Sequence, residues 1–187
     1  MPRIFSSMGA SAAGILQGEW FRCATALLIH ADAPHLIGNM VGLAIFGSAV
    51  CGITGAGVGI LLISAAGLCG NLLTAALHQS HHLSVGASTA VFGAVGVLVA
   101  HQVRHRITRP GGLTWRTFLP VGAGMALLGF LSAGPRVDIM AHLLGMLAGG
   151  FLGAVYGMRW SRPPSRPVQV VCAVVAFAVF VGAWLSV

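Results

Sequence analysis

An all-α, polytopic transmembrane helix bundle is predicted by three observations. The chain is 57% hydrophobic and 7% charged with a mean hydropathy of +0.91, whereas a soluble domain carries roughly one-quarter charged residues. Its apolar residues fall in stretches long enough to cross a hydrocarbon core of about 30 Å, which takes roughly 20 residues as helix. Gly and Ala are abundant in those stretches and period-2 alternation is absent, which favours closely packed helices over a barrel, because small residues let backbones approach where hydrophobicity no longer drives association.

Along the chain, residues 1–18 carry one arginine and a weak apolar stretch interrupted by Ser and Gly. That stretch is too short to span, and no cleavable signal peptide is expected. Spans are expected at about 36–53, 56–77, 85–102, 117–134 and 137–158, with a sixth at 168–187. No internal repeat stands out and no linker suggests a second domain.

Charge orients the bundle. All 10 Lys and Arg positions are arginine. Arg104, Arg106, Arg109 and Arg116 surround one connector, and Arg159, Arg162 and Arg166 the other. By the positive-inside rule both connectors face the cytoplasm, and the two helices between them return the chain to the same side. The acidic residues Glu19, Asp32 and Asp138 then fall on the outer side, with Trp115 and Trp160 at the inner interface and Trp20 and Trp184 at the outer one. The net charge of +7 is thus a topology signal. A nucleic-acid partner would call for a basic face with interleaved aromatics, and these arginines are confined to membrane-edge loops. Cys23, Cys51, Cys69 and Cys172 lack CxxC spacing, and as small hydrophobes they imply neither a disulfide nor a metal site.

Within this frame, Ser88 lies about one turn into a helix that starts at the outer face, and His142 about one turn into another. At a shared depth they can meet. A serine hydroxyl needs a base, and an imidazole with a pKa near 6.5 suits that task. Backbone amides at the start of the Ser88 helix, with the helix dipole, can stabilise an oxyanion. The plain alternative is a serine bonding the preceding turn's carbonyl, but an ionisable group at membrane depth is costly and usually functional. His35 and Asn39, four apart, project from one helix face at the same depth. They serve either as hydrogen-bond donors to the chemistry or as interhelical bonds; beside Ser88 and His142 the catalytic role is preferred. Asp138, four residues before His142, either orients the imidazole or caps the helix. His78, His81 and His82 suggest either a metal site or a polar outer loop. His101 and His105 lie at the cytoplasmic end, out of reach.

Gly86-Ala87-Ser88 followed by Phe92-Gly93, Ala141-His142-x-x-Gly145, His35-x-x-x-Asn39 and Glu19-Trp20-Phe21-Arg22 together resemble the rhomboid intramembrane serine proteases over about residues 15–158. The resemblance implies a Ser88 nucleophile and a His142 base forming a dyad without a carboxylate, so that Asp138 is read as a cap. It further implies an oxyanion hole of His35, Asn39 and the Ser88 amide, and Phe92 against the His142 ring. Trp20, Arg22 and His30 are then residues of a structured outer loop, and the histidines at 78–82 line a loop dipping toward the site. Gly145 and Gly149 form a GxxxG face that suits packing of the His142 helix on the Ser88 helix. No cofactor or metal is implied. Substrates would be membrane proteins, single-span or multi-span, that enter from the bilayer past the 117–134 helix and unwind before attack, since a helical peptide bond is shielded.

The pattern departs from the family in two places. Thr89 stands where the motif has Gly, and is expected to alter the substrate pocket or the helix start. Only 18 residues precede Glu19, so the family's first helix is expected to be absent from the chain as written, with an upstream start codon the preferred explanation. On that reading residues 1–18 are a lead-in, 19–158 the catalytic core, and 159–187 an Arg-rich connector with an extra helix. The rival function is a catalytically inactive rhomboid-like protein that binds or escorts membrane segments; it has no need of Ser88, His142 and Asn39 together. A small transporter would show broken helices at the midplane and internal symmetry, and neither is evident. An arginine-only basic set with high Ala and Gly points to a bacterial inner membrane.

Overall fold

The computed structural model describes residues 3–78, 82–108, 113–131 and 138–187. Two short helices, α1 (Arg3–Met8) and α2 (Ala12–Leu16), and a single turn, α3 (Arg22–Thr25), precede the first long helix. Between α1 and α2, strand β1 (Ala10–Ser11) pairs antiparallel with β2 (Leu83–Ser84). This amino-terminal region is packed rather than trailing. Met8, Ala10, Ala12 and Ile15 are buried, and Arg22 ties the region together by pairing with Glu19 and donating to the carbonyls of Ser6 at 2.8 Å and Gly9 at 3.3 Å.

A helical run of 22 residues from Ala33 to Thr54 follows. It consists of α4 (Ala33–Gly42), a π-helical turn over Leu43–Gly47 and α5 (Ser48–Thr54). Asp32 starts it as an N-cap, accepting from the His35 amide at 2.8 Å, and Pro34 suits the first turn because its missing N–H has no partner to lose there. Gly55, at φ +86°, reverses the chain into α6 (Ala56–His78). After β2 come α7 (Ser88–Ile107), a 3-10 turn at Trp115–Phe118 leading into α8 (Leu119–Leu131), then α9 (Ile139–Arg159) and α10 (Arg166–Leu185). Gln169 of α10 closes the α5–α6 turn, donating to the Thr54 carbonyl at 2.9 Å and accepting from the Val58 amide at 2.9 Å.

Among the described residues, four helical runs are long and apolar enough to cross a membrane: Ala33–Thr54, Ala56–His78, Ile139–Arg159 and Arg166–Leu185. The expected span at 85–102 needs correction, and the end of the one at 117–134 lies outside the described residues. α7 is 20 residues long but begins at Ser88 and carries Arg104 and Arg106 in its last turn, which lowers its hydropathy; α8 is 13 residues long. Ser88 is therefore the first residue of its helix and not one turn inside it. Gly86 sits at φ +110°, a left-handed conformation that stops a right-handed helix from extending upstream.

α7 is the centre of the bundle. Every residue from Thr89 to Val97 is buried, as expected for a helix apolar all round. Its contact with α9 is made through glycine. A Cβ on Gly145 would overlap the Thr89 carbonyl, one on Gly149 the Gly93 carbonyl, and one on Gly153 would stand 2.8 Å from the Val97 Cα. These three pairs step by four residues on both helices, so the small-residue rows face each other and bring the backbones together.

Candidate active site

Where α7 and α9 begin, a cavity of about 450 Å³ opens, and its lining includes Ser88, His142, His35, Asn39 and Asp138. Ser88 is half-buried and His142 is 5% exposed. The His142 ring stacks on Phe92, with centroids 4.5 Å apart and planes at 28°. Phe92 is itself 2% exposed, four residues below Ser88 and so on the same helix face. That ring forms an apolar wall that restricts the orientations open to the imidazole.

His35 and Asn39 reach the cavity from α4. Gly86 decides how closely: a Cβ there would lie 2.5 Å from His35 Cε1 and 3.2 Å from Asn39 Nδ2. Glycine is thus needed at 86 for its positive φ and for the space above it. Among the described residues, buried Asn39 has no hydrogen-bond partner for its Nδ2, an amide donor held at the site. The first amides of α7 likewise have no carbonyl one turn earlier, and the Ser88 N–H is among them. The preceding Ala87 N–H donates to His30 Nε2 at 3.3 Å, and the Gly86 N–H to the Ala26 carbonyl at 2.8 Å. These bonds anchor the turn before Ser88 to the amino-terminal region. His30 accepts only when neutral. Burial, then the neighbouring His35, pushes its pKa below the ordinary 6.5, against a hydrogen bond to the Leu28 backbone that raises it.

Asp138 caps α9, accepting from the Ala141 amide at 2.9 Å. Its other oxygen meets His82 Nε2 at 2.6 Å, so this carboxylate pairs with the loop histidine. Burial would raise its pKa, but the Ala141 amide and the His82 charge outweigh that and hold it below the ordinary 3.8. His78 stacks on His82 at 4.1 Å; His81 lies outside the described residues. His101 and His105 are on the last turns of α7, about 20 Å or more from Ser88 at 1.5 Å per residue.

A family model for the Rhomboid domain matches residues 17–159. The chain belongs to the rhomboid family. Among similar proteins, the rhomboid-family protein YdcA of Bacillus subtilis (strain 168) is 32% identical over 139 residues, covering 74% of this chain and 68% of YdcA. Rhomboid protease GluP of the same organism is 32% identical over 170 residues, 90% of this chain and 32% of GluP. Rhomboid-like protease 1 of Toxoplasma gondii is 30% identical over 156 residues, 80% of this chain and 52% of that protein. The chain thus spans about two thirds of YdcA and a third of GluP. Together with its apolar helices, family membership makes this rhomboid an integral membrane protein.

In this rhomboid Thr89 does not line the cavity. It is 1% exposed, and its Cγ2 fills the space over two glycines, 2.5 Å from where a Cβ on Gly70 would lie and 2.9 Å from one on Gly145. The residue after Ser88 therefore faces the α6–α9 junction. Three supports were not singled out from the sequence. Asn71, buried in α6, donates to the Cys23 carbonyl at 2.9 Å; Thr25 donates to the Met8 carbonyl at 2.6 Å; and β1 holds β2 beside the site. Asn71 is a polar residue in the middle of an apolar span, and that alone marked it as a residue needing a partner.

Proposed function

We propose that this protein is an intramembrane serine endopeptidase using a Ser88–His142 dyad. The observation that carries the reading is the single cavity lined by Ser88, His142, His35 and Asn39, with the His142 ring held on Phe92. The names of GluP and the Toxoplasma relative, both rhomboid proteases by description, support the same chemistry.

In this mechanism His142 accepts the Ser88 proton as Oγ attacks the scissile carbonyl carbon, giving a tetrahedral intermediate. Its oxyanion is met by the Ser88 amide at the start of α7, by the Asn39 amide group and by the His35 ring, donors fixed before the reaction begins. The imidazolium then returns the proton to the leaving nitrogen, the C–N bond breaks, and an acyl-Ser88 ester remains. Water, deprotonated by His142, hydrolyses that ester and restores the enzyme. Gly86 acts by letting His35 and Asn39 approach, and Phe92 by orienting the base.

The substrates under this reading are membrane-spanning proteins, cut near the outer face, where a cavity at the start of α7 and α9 admits water. Segments unwind before attack, since a helical peptide bond is shielded, and they enter laterally past α8. Under this reading the arginines at the far ends of α7 and α9 support a cytoplasmic side for those ends, in a bacterial inner membrane.

The test is cleavage of a tagged single-span reporter by the purified protein in detergent. Ser88→Ala and His142→Ala are each expected to bring the rate to background, a loss of about 10⁴-fold or more, with unchanged membrane insertion. Persistent cleavage in either variant would sink the dyad. No cleavage by well-folded wild type would leave the inert, membrane-segment-binding reading in its place.

A further inference from the structure

Beside the proposed dyad and its oxyanion donors lies a second polar group, which shares the cavity lining through Asp138. His82 Nε2 and Asp138 Oδ2 are 2.6 Å apart, with their side chains 24% and 18% exposed. His78, at the end of α6, stacks on the His82 ring. Asp138 performs three tasks at once. Oδ1 accepts from the Ala141 amide at 2.9 Å, its carbonyl accepts from the His142 amide at 3.1 Å, and Oδ2 reaches His82. On the other side of the pair, His82 directly precedes β2, and its carbonyl accepts from the Ala12 amide at 2.9 Å. Six residues on, the chain delivers Ser88.

We propose that the His82–Asp138 pair is a positioning clamp, tying the segment that delivers Ser88 to the first turn of the helix that carries His142. The proposal rests on the Ser88–His142 reading. Its physical basis is where the glycine ladder ends. From Thr89 and Gly145 downward, α7 and α9 are locked by backbone contact. Above that level lie the first turn of α9 and the 82–87 segment, tied through the Asp138 carboxylate by His82 and by a hydrogen bond from the Ser84 side chain. A partly buried pair with a second hydrogen bond on the carboxylate holds its geometry better than an exposed one. The reaction needs that geometry, because a misplacement of about 1 Å can cost on the order of 100-fold in rate. As a clamp, both act through the backbone of Ser88 and His142, beside the electrostatic effect that Asp138 has on the His142 ring.

The variants separate clamp from cap. Asp138→Ser keeps a good N-cap oxygen but is too short to reach His82. His82→Ala removes the partner and leaves the cap untouched, and His82→Gln restores a donor to Asp138. Full-length protein in detergent is assayed for kcat and KM on the single-span reporter, for the rate at which Ser88 is labelled by a fluorophosphonate, and for melting temperature. The expected result is a fall in kcat of about 10- to 100-fold in His82→Ala and in Asp138→Ser. KM should stay within about twofold, labelling should slow in parallel, His82→Gln should recover most of the rate, and the double variant should be no slower than the slower single. Labelling counts only folded, competent sites, so a variant that folds poorly still reports its rate. Unchanged kcat and labelling in both single variants, fully additive losses, or failure of His82→Gln to recover any rate would overturn the clamp. Wild type that neither cleaves the reporter nor is labelled at Ser88 would overturn the protease reading, and the clamp with it.

Discussion

α9 and α8 are both apolar helices beside α7, yet they meet it in opposite ways. α9 sets Gly145, Gly149 and Gly153 against Thr89, Gly93 and Val97, with no room for a methyl group. α8 buries Gly124, against Val99 of α7, and Leu128, while Phe130 is 80% exposed and Gly122 and Gly129 have nothing within 4 Å of a Cβ. The cavity between α7 and α8 toward the Arg106 end is lined mostly by apolar side chains. The contrast teaches that hydropathy puts a helix in the membrane, while small residues decide whether it is locked there. The Ser88 and His142 helices are locked to each other; the helix beside them is packed less closely, as the proposed lateral entry of a substrate segment would require.

The largest effect should come from breaking the lock. Gly149→Leu drives a side chain into the Gly93 backbone, which cannot yield as a flexible side chain can; gel filtration in detergent should show loss of the monodisperse folded species. At the site end of the same interface, Gly86→Ala combines a φ of +110° with a methyl 2.5 Å from the His35 ring. Reporter cleavage should fall by about 100-fold while the helix bundle still forms, because the ladder lies below this turn.

Thr89→Gly empties the space over Gly70 and Gly145 and adds backbone freedom in the first turn of α7. A loss of about 1–3 kcal/mol is expected, read as a lower melting temperature, and cleavage per folded molecule should persist since Thr89 is outside the cavity. Acid should loosen the turn before Ser88 through His30. Its pKa is held below 6.5 by burial and by His35, so its contribution to stability is complete above 6.5 and is lost as pH falls through the lower folded value. His30→Gln should flatten that part of the melting-temperature profile; an unchanged profile would remove His30 from the account. Asp138 behaves likewise at lower pH. Its contribution is present above 3.8 and lost as pH falls through the depressed folded value, so Asp138→Asn and wild type should converge there. The smallest effect belongs to the loose helix: Gly122→Ala in α8 should shift stability by no more than about 0.5 kcal/mol, and a larger loss would mean that α8 is packed more tightly than its exposure indicates.

Much of the bundle was legible in the chain because burial in lipid demands long apolar runs, and the runs at 56–77, 137–158 and 168–187 lie within about two residues of α6, α9 and α10. The helix around Ser88 was harder to read. Its apolar pattern runs on through Val85, and only the backbone angle at Gly86 moves the start to Ser88. The Asp138 cap was readable from its place before an apolar run. Its bond to His82 was not, since the two lie 56 residues apart.

The sequence by itself determined that the protein lives in a membrane and which few polar residues must be accounted for there, since each uncompensated polar group in lipid is costly. Tertiary structure alone decided which of those residues share a cavity, that Thr89 turns away from it, and that Asp138 answers to His82. Those outcomes depend on the register between α7, α9 and the amino-terminal region, and register is set by glycine contacts and hydrogen bonds between segments distant in the chain, which no local pattern encodes.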